Sequence, residues 1–487
     1  MEQSWIAENG YIWPVSGFSY PEGTDGKKWF WAINNDATMG IHNPSDKPIV
    51  FSVTFSLVAL DEARNKHVDI YLDDLKIQSV LLPDRYNVYI ELNPNETRYL
   101  GFKTYGKLDK APGDDERNMA FCFADIQCEI EIPYERSEEL IGIQNCLYEL
   151  LEQVDDICRR HDIKYTAFYG TLLGAVRHHG IIPWDDDIDI AMTRDNYDRF
   201  IEAAGNELME PFFLQTPQSD RECFFGGYAK VRNSNTTAIV PINKNRRCNE
   251  GIWIDILPLD KVFLDPGKQK AQMTNVMYYQ YAMFCKVYGM QEWIKDRVSD
   301  IDYDKAYALS LEMSYDELRD RLEYHLKSAQ AEEAFLYTPL ARFMDKGKRK
   351  FYGQDDFNKL KDVPFGRRLI GIPENICHAA CLHVGKSFMT YPPEVRRKSG
   401  HHILWDVNKP YREYKDIDFK KRQQIIAVGI NDDAEQYYAG HFLSYDFVYA
   451  VDDRDELCGS MWHDAIVIST DTFQKLDLNG YIVKEFK

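Results

Sequence analysis

The sequence predicts an α+β chain of several domains, and three observations carry that prediction. Short runs of alternating apolar residues crowd residues 1–134, single strands mix with helices over 135–415, and 416–487 alternates strand with helix. With 487 residues, 44% of them hydrophobic and 14% aromatic, the chain is long enough to bury more than one core.

The first region reads as a β-sandwich. Phe51, Val53, Phe55 and Leu57 alternate, as do Tyr86, Val88, Ile90 and Leu92, and then Ile126, Cys128, Ile130 and Ile132, with Asn-Pro and Pro-Gly turns between. Trp29, Phe30 and Trp31 are expected in its core, with stacking on sugar as the alternative. Pro133 ends the last strand. Leu140, Ile143, Leu147, Leu150, Leu151, Val154 and Ile157 then recur at helical spacing, predicting an amphipathic helix that braces the central sheet.

The chain is organised around Tyr169–Ile190. Gly170-Thr171 enters an apolar helix, Gly180 and Pro183 stop it, and a strand comes next with Asp185, Asp187 and Asp189 at every second position. Residues two apart in a strand share a face, so these acids line one side, with Asp186, Ile188 and Ile190 on the other. Three carboxylates on one edge repel unless a cation joins them. Mg²⁺ commonly takes one or two carboxylates and completes its shell with substrate phosphate oxygens, while the open N–H groups of a helix N-terminus, here at Gly170-Thr171, suit an anion. Together they describe a metal–nucleotide site. A solvated acidic turn is the bland alternative, and the apolar opposite face argues against it. An EF-hand is excluded because the frame from Asp187 lacks the central Gly and closing Glu.

Downstream, a helix is expected over Tyr197–Leu208 and a strand over Phe224–Arg232, with Lys230 and Arg232 on one face. Gly251–Asp260 reads as a buried strand carrying Asp255 among apolar neighbours, and a buried acid is costly unless paired or metal-bound. Residues 265–365 are charged and helical, including Tyr315–Glu333, without a chemical motif. In the tail, strands are expected at Gln424–Gly429, Phe447–Asp452, Ala465–Ile468 and Tyr481–Val483, with a helix at Asp432–Ala439. Gly429 alone matches a dinucleotide fingerprint, since Asn431 and Ala434 stand at the other glycine positions, so packing or assembly is the expected role.

A formal charge of −20 and pI near 5.1 argue against a nucleic-acid partner. Ten cysteines are scattered without paired spacing, and no apolar run approaches a membrane span; reduced thiols and a cytoplasmic protein are expected. Cys377, His378, Cys381 and His383 could form a zinc cluster, but they fall in an amphipathic helix where Cys serves as a small hydrophobe.

The run Tyr-Gly-Thr-Leu-Leu-Gly-Ala-Val-Arg-His-x-Gly-x-Ile-Pro-Trp-Asp-Asp-Asp-Ile-Asp at 169–189 resembles the signature of the LicD family, which includes fukutin and fukutin-related protein. Asp255-Ile-Leu-Pro-Leu-Asp260 resembles a second family element. The resemblance implies a polymerase-beta-like nucleotidyltransferase domain with a helical insertion over 135–415 and a small Rossmann-like α/β domain over 416–487. It also implies transfer of an alcohol phosphate, phosphocholine most commonly, from a CDP-linked donor such as CDP-choline to a glycan hydroxyl. On that footing Asp187 and Asp189 hold Mg²⁺, or Mn²⁺ in its place, Asp185 is a further ligand, and Asp255 completes the metal site and takes the acceptor's proton. Gly170, Thr171, Arg177, Lys230 and Arg232 fix the donor diphosphate. The resemblance further implies peripheral work at membrane-bound glycan assembly. His178 and His179 are expected as exposed caps, and His401 and His402 as candidates for lining the site. Val384-Gly385 departs mildly from the family's Tyr-Gly. Two other readings stand beside this one: a metal-dependent nucleotidyltransferase acting on a sugar, alcohol phosphate or protein hydroxyl, and a non-catalytic glycan- or nucleotide-binding scaffold.

Overall fold

The structure is a computed structural model, and it describes residues 11–24, 27–60, 66–243, 246–291, 295, 298, 300–331, 335–343, 349–398, 404–415, 423–428, 445–451, 466–469 and 482–485. The chain divides into two compact units. One holds 1–136, 166–185 and 355–398, the other 137–165, 186–354 and 399–487.

The first unit contains a β-sandwich of two five-stranded sheets. One runs in the order Tyr11–Ser16, Asp36–His42, Thr97–Thr104, His67–Leu72, Leu75–Leu81; the other runs Glu22–Thr24, Lys27–Ala32, Phe121–Glu131, Ile49–Val58, Asp84–Leu92. All neighbours are antiparallel. The alternation in Ile49–Val58 does what the sequence requires: Phe51, Val53, Phe55 and Leu57 are fully buried. Phe55 meets Phe102 of the opposite sheet at 5.6 Å between ring centroids and Phe123 at 4.7 Å. Each such ring removed from water contributes about 1.5–3 kcal/mol.

The last strand departs from expectation. Phe121 and Phe123 are its core residues, while Ile130 is 38% and Ile132 90% exposed. Its pairing with Ile49–Val58 shifts between Ala124 and Gln127, and Asp125 has φ 50°. Such a bulge shifts the alternation by one residue, so that Cys128 stands opposite Val53 and Ile130 opposite Phe51, on the same face but at an end of the strand where burial is incomplete. Of the three successive aromatics, Phe30 is buried in the core, and Trp29 and Trp31 are half-buried.

The first unit also holds the helix Tyr169–Arg177, the hairpin Leu360–Phe365 with Arg368–Pro373, and the helix Ile376–Val384. On that last helix Cys377 faces the Lys76 carbonyl and His378 pairs with Asp356 at 2.9 Å. The nine described cysteines are all free thiols.

In the second unit the predicted bracing helix runs Glu138–Arg160. Ser137 caps it by accepting from the Leu140 N–H at 3.1 Å, and its predicted apolar face is buried. It packs on a sheet ordered Asp189–Thr193, Ile252–Phe263, Ala229–Asn233, Phe212–Gln215, in which Asp189–Thr193 runs parallel to its neighbour and the other pairs are antiparallel. Phe335–Thr338 pairs with the far end of Ile252–Phe263. The helix Arg194–Glu207 starts three residues before the predicted one; Arg194 donates to Asp260 at 2.7 Å, a pairing invisible to hydrophobic periodicity. The charged region forms the helices Pro266–Tyr288, Tyr303–Glu312 and Tyr315–Leu326, the last opened by a Ser314/Glu317 capping box and ending before the expected Glu333.

In the tail, Tyr445–Val451, Gln423–Val428, Ile466–Ser469 and Ile482–Glu485 form a wholly parallel sheet in that order. Gly429, Asn431, Ala434 and the predicted helix Asp432–Ala439 lie outside the described residues, as do His401 and His402. Among the described residues no helix is long and apolar enough to cross a membrane.

Candidate active site

The signature crosses from one unit to the other between Asp185 and Asp186.

On the first side, Tyr169 opens the helix at φ 41°, and Phe168 at the N-cap supplies no side-chain bond to the first turn. Thr171 is buried in that turn. A Cβ on Gly170 would lie 2.9 Å from Asp185 Oδ2, so the missing side chain is what lets this carboxylate approach the helix start. A Cβ on Gly174 would lie 2.3 Å from the Gly180 carbonyl, which makes this glycine a packing requirement of the loop leading to the acids.

Arg177 and His178 belong to a buried polar cluster. Arg177 donates to the Thr390 carbonyl at 3.2 Å, and its guanidinium lies 5.5 Å from the Tyr391 ring centre. The His178 ring, 2% exposed, meets Glu91 at 2.7 Å, and Tyr391 donates its hydroxyl to the same Glu91 oxygen at 2.7 Å. Burial holds the imidazole below its ordinary pKa against the pull of Glu91, keeping it neutral. His178 is therefore not the exposed cap expected from sequence; an acid from the sandwich strand Asp84–Leu92 claims it. His179 is exposed, at φ 52°. Trp184 is buried against Tyr134, His178 and Tyr391, as core packing.

On the second side the regular strand begins at Asp189, later than expected, yet the alternation survives. Asp186, Ile188 and Ile190 are buried and Asp187 is half-buried. Asp189 is itself buried. The sheet register sets Asp189 beside Asp255, and Asp255 beside Lys230. Directly opposed residues on neighbouring strands share a face, so two acids and one cation stand abreast on three strands.

The electrostatics follow from that row. Burial raises the Asp189 carboxyl well above the usual carboxylate range, and Asp187 and Asp255 push it the same way, against Arg342 and Lys230. Lys230 donates to Asp255 at 2.5 Å, and its ammonium lies 4.4 Å from the Trp253 ring centre, 4.9 Å from Phe225 and 5.4 Å from Tyr228. Burial depresses its pKa, opposed by Asp255. Arg232 donates to Gln215 Oε1 at 2.5 Å and to the Gly251 carbonyl at 2.7 Å, and stacks on Trp253. Arg342 was not predicted: its segment reaches the strand region through the Gly226–Arg342 bridge, and nothing local in a charged run marks it.

Among the described residues no group of three His, Cys, Asp or Glu side chains is drawn together to hold a metal ion. The donor set nonetheless suits Mg²⁺, which needs hard oxygens and accepts one or two carboxylates when phosphate oxygens fill the rest.

Residues 162–282, which include Asp185, Asp187, Asp189, Lys230, Arg232 and Asp255, match the family described as LicD/FKTN/FKRP, nucleotidyltransferase domain. This segment belongs to the LicD family. The chain containing this LicD domain is 38% identical over 101 residues to the lipopolysaccharide cholinephosphotransferase LicD of Haemophilus influenzae, covering 21% of this chain and 36% of that protein, so it spans about a third of that relative's length. It is 48% identical over 50 residues to the uncharacterized protein RP689 of Rickettsia prowazekii, covering 10% of this chain and 19% of that one. A family 35 carbohydrate binding module from Clostridium thermocellum aligns at 10% identity over 25% of this chain and 95% of its own; its TM-score of 0.16 is too low to carry an argument.

Proposed function

We propose that this protein is a metal-dependent transferase that moves an alcohol phosphate, phosphocholine first, from a CDP-linked donor to a hydroxyl of a surface glycan or its precursor. The observation that carries this reading is the row Asp189, Asp255 and Lys230 on three adjacent strands inside the LicD domain, with Asp187 two residues before Asp189 and acting on its carboxyl. Asp187, Asp189 and Asp255 would hold Mg²⁺, with Asp185 two residues upstream of Asp187 as a further ligand. When bound, the ion neutralises charge on the phosphate oxygens during in-line displacement. Lys230 binds donor phosphate, and Arg232 stiffens the wall beside it through Gln215 and Gly251. The acceptor oxygen bonds to the phosphorus that carries the alcohol as the bond from that phosphorus to CMP breaks. CMP leaves with that electron pair, and the acceptor's proton passes to Asp255.

The test is CMP release from CDP-choline, CDP-ribitol, CDP-glycerol and CDP-ethanolamine with a glycan acceptor. One donor should turn over with Mg²⁺ and not with EDTA, and Asp187→Ala and Asp189→Ala should abolish turnover while retaining the fold. Full activity in either variant would overturn the assignment. The family's description as a nucleotidyltransferase domain supports a second reading, nucleotidyl transfer, which pyrophosphate release from a nucleoside triphosphate would favour.

A further inference from the structure

The two strand cations of the LicD domain are held differently. Arg232 is fixed by the Gln215 side chain and the Gly251 backbone, groups that are part of the fold. Lys230 is held at 2.5 Å by Asp255, the acid placed in the metal row, inside a box of Trp253, Phe225 and Tyr228. From this we infer that Lys230 occupies Asp255 in competition with the metal, and that a divalent ion and the donor diphosphate therefore enter the site cooperatively, the diphosphate drawing Lys230 off Asp255 as the ion arrives. The inference rests on the proposed metal site.

The balance of charge within one buried row sets this coupling. A dication and an ammonium on the same carboxylate repel, and inside protein that repulsion is weakly screened. An ion arriving alone must displace Lys230, leaving a buried ammonium with three ring faces and no exchanged anion. Rings attract a cation, but far less than a carboxylate at hydrogen-bond distance does. A diphosphate arriving alone adds its own negative charge to that of Asp187, Asp189 and Asp255, more than Lys230 and Arg342 together offset. Arriving together, the two satisfy every group: the ion takes the carboxylates and phosphate oxygens, and Lys230 exchanges Asp255 for phosphate. The rings that hold the ammonium now are the surface over which it moves.

The experiment uses the full-length protein with Mn²⁺ as a spectroscopic probe and CDP as the diphosphate. Free Mn²⁺ is counted by electron paramagnetic resonance, with protein-free controls for the Mn²⁺–CDP complex. CDP should tighten Mn²⁺ binding by about tenfold or more, and Mn²⁺ should tighten CDP binding by the same factor, as linkage requires. Lys230→Met should bind Mn²⁺ alone more tightly than the native protein, because the competitor is gone, while its coupling to CDP shrinks. Native coupling near unity overturns the inference without any variant, as does a folded Lys230→Met protein that binds Mn²⁺ alone no better than native. Failure to bind Mn²⁺ under every condition overturns the metal site itself. The expected coupling without turnover of any CDP-alcohol would overturn the proposed activity and leave this inference standing.

Discussion

Gly174→Ala tests whether the signature's second glycine is there for packing. The added Cβ would stand 2.3 Å from the Gly180 carbonyl oxygen and 3.2 Å from the Ile182 nitrogen. Carbon–oxygen contacts ordinarily begin near 3.3 Å, so the loop must retreat by about 1 Å. That loop folds back on the helix through backbone bonds to the Gly174 carbonyl, from His178 at 2.8 Å and Gly180 at 3.4 Å. Overpacking of this kind costs about 1–3 kcal/mol. The gain from Ala over Gly in a helix returns about 0.8–1 kcal/mol, leaving a net loss of up to about 2 kcal/mol. Gly205→Ala is the matched control, because Gly205 also lies in a helix yet its Cβ would meet nothing within 4 Å. It should stabilise its own helix by about 0.4–1 kcal/mol. Hydrogen exchange in increasing urea reads each helix separately. Opposite signs support the packing argument; protection of the Gly174→Ala helix equal to or better than native would refute it. Since the same loop leads to the acids, turnover should fall with stability.

Asp189→Asn should separate stability from activity. The folded carboxyl is pushed up by burial and by Asp187 and Asp255, so its contribution to stability is full below the unfolded Asp pKa of about 3.9 and is lost as pH rises through the folded value. In EDTA the Asn variant should therefore lose less stability than native over that range, while turnover falls by about 10²-fold or more. Glu91→Gln has the opposite sign. Burial pushes this carboxyl up, but the hydrogen bonds from His178 and Tyr391 and the nearby Arg177 charge bring it to a net depression. Its stabilisation is thus present above the unfolded Glu pKa of about 4.3 and lost as pH falls through the folded value. Denaturation at neutral pH should show a cost of about 1–3 kcal/mol for the variant, shrinking in acid. Arg194→Met should cost about 3–5 kcal/mol by leaving Asp260 buried without its cation, and adding Asp260→Leu should recover much of it in a double-mutant cycle.

Much of this was legible in sequence because local pattern and local environment coincide. The strands at Ile49–Val58 and Asp84–Leu92 and the helix Glu138–Arg160 each carry an apolar face at the period of their own backbone, and each forms where the pattern puts it. The acidic run was readable for the same reason, since burial of Asp186, Ile188 and Ile190 preserves the alternation even before the regular strand begins. Reading failed where a distant group decides the outcome. The bulge at Ala124–Gln127 changed which residues of the last sandwich strand face the core, and Glu91 drew His178 inward. No property of residues 178 or 130 taken alone records either event.

The sequence by itself determined the LicD signature, the identity of its acids, and the α and β character of each region, all matters of residue type at short spacing. Only the tertiary structure decided which charges share a neighbourhood. Strand order and register set Asp189, Asp255 and Lys230 abreast although 66 residues separate the first two, and they brought Arg342 to bear on the same carboxyl. The reason is physical: hydrophobic periodicity fixes what each segment buries, whereas electrostatic interaction depends on distances that exist only once strands have paired.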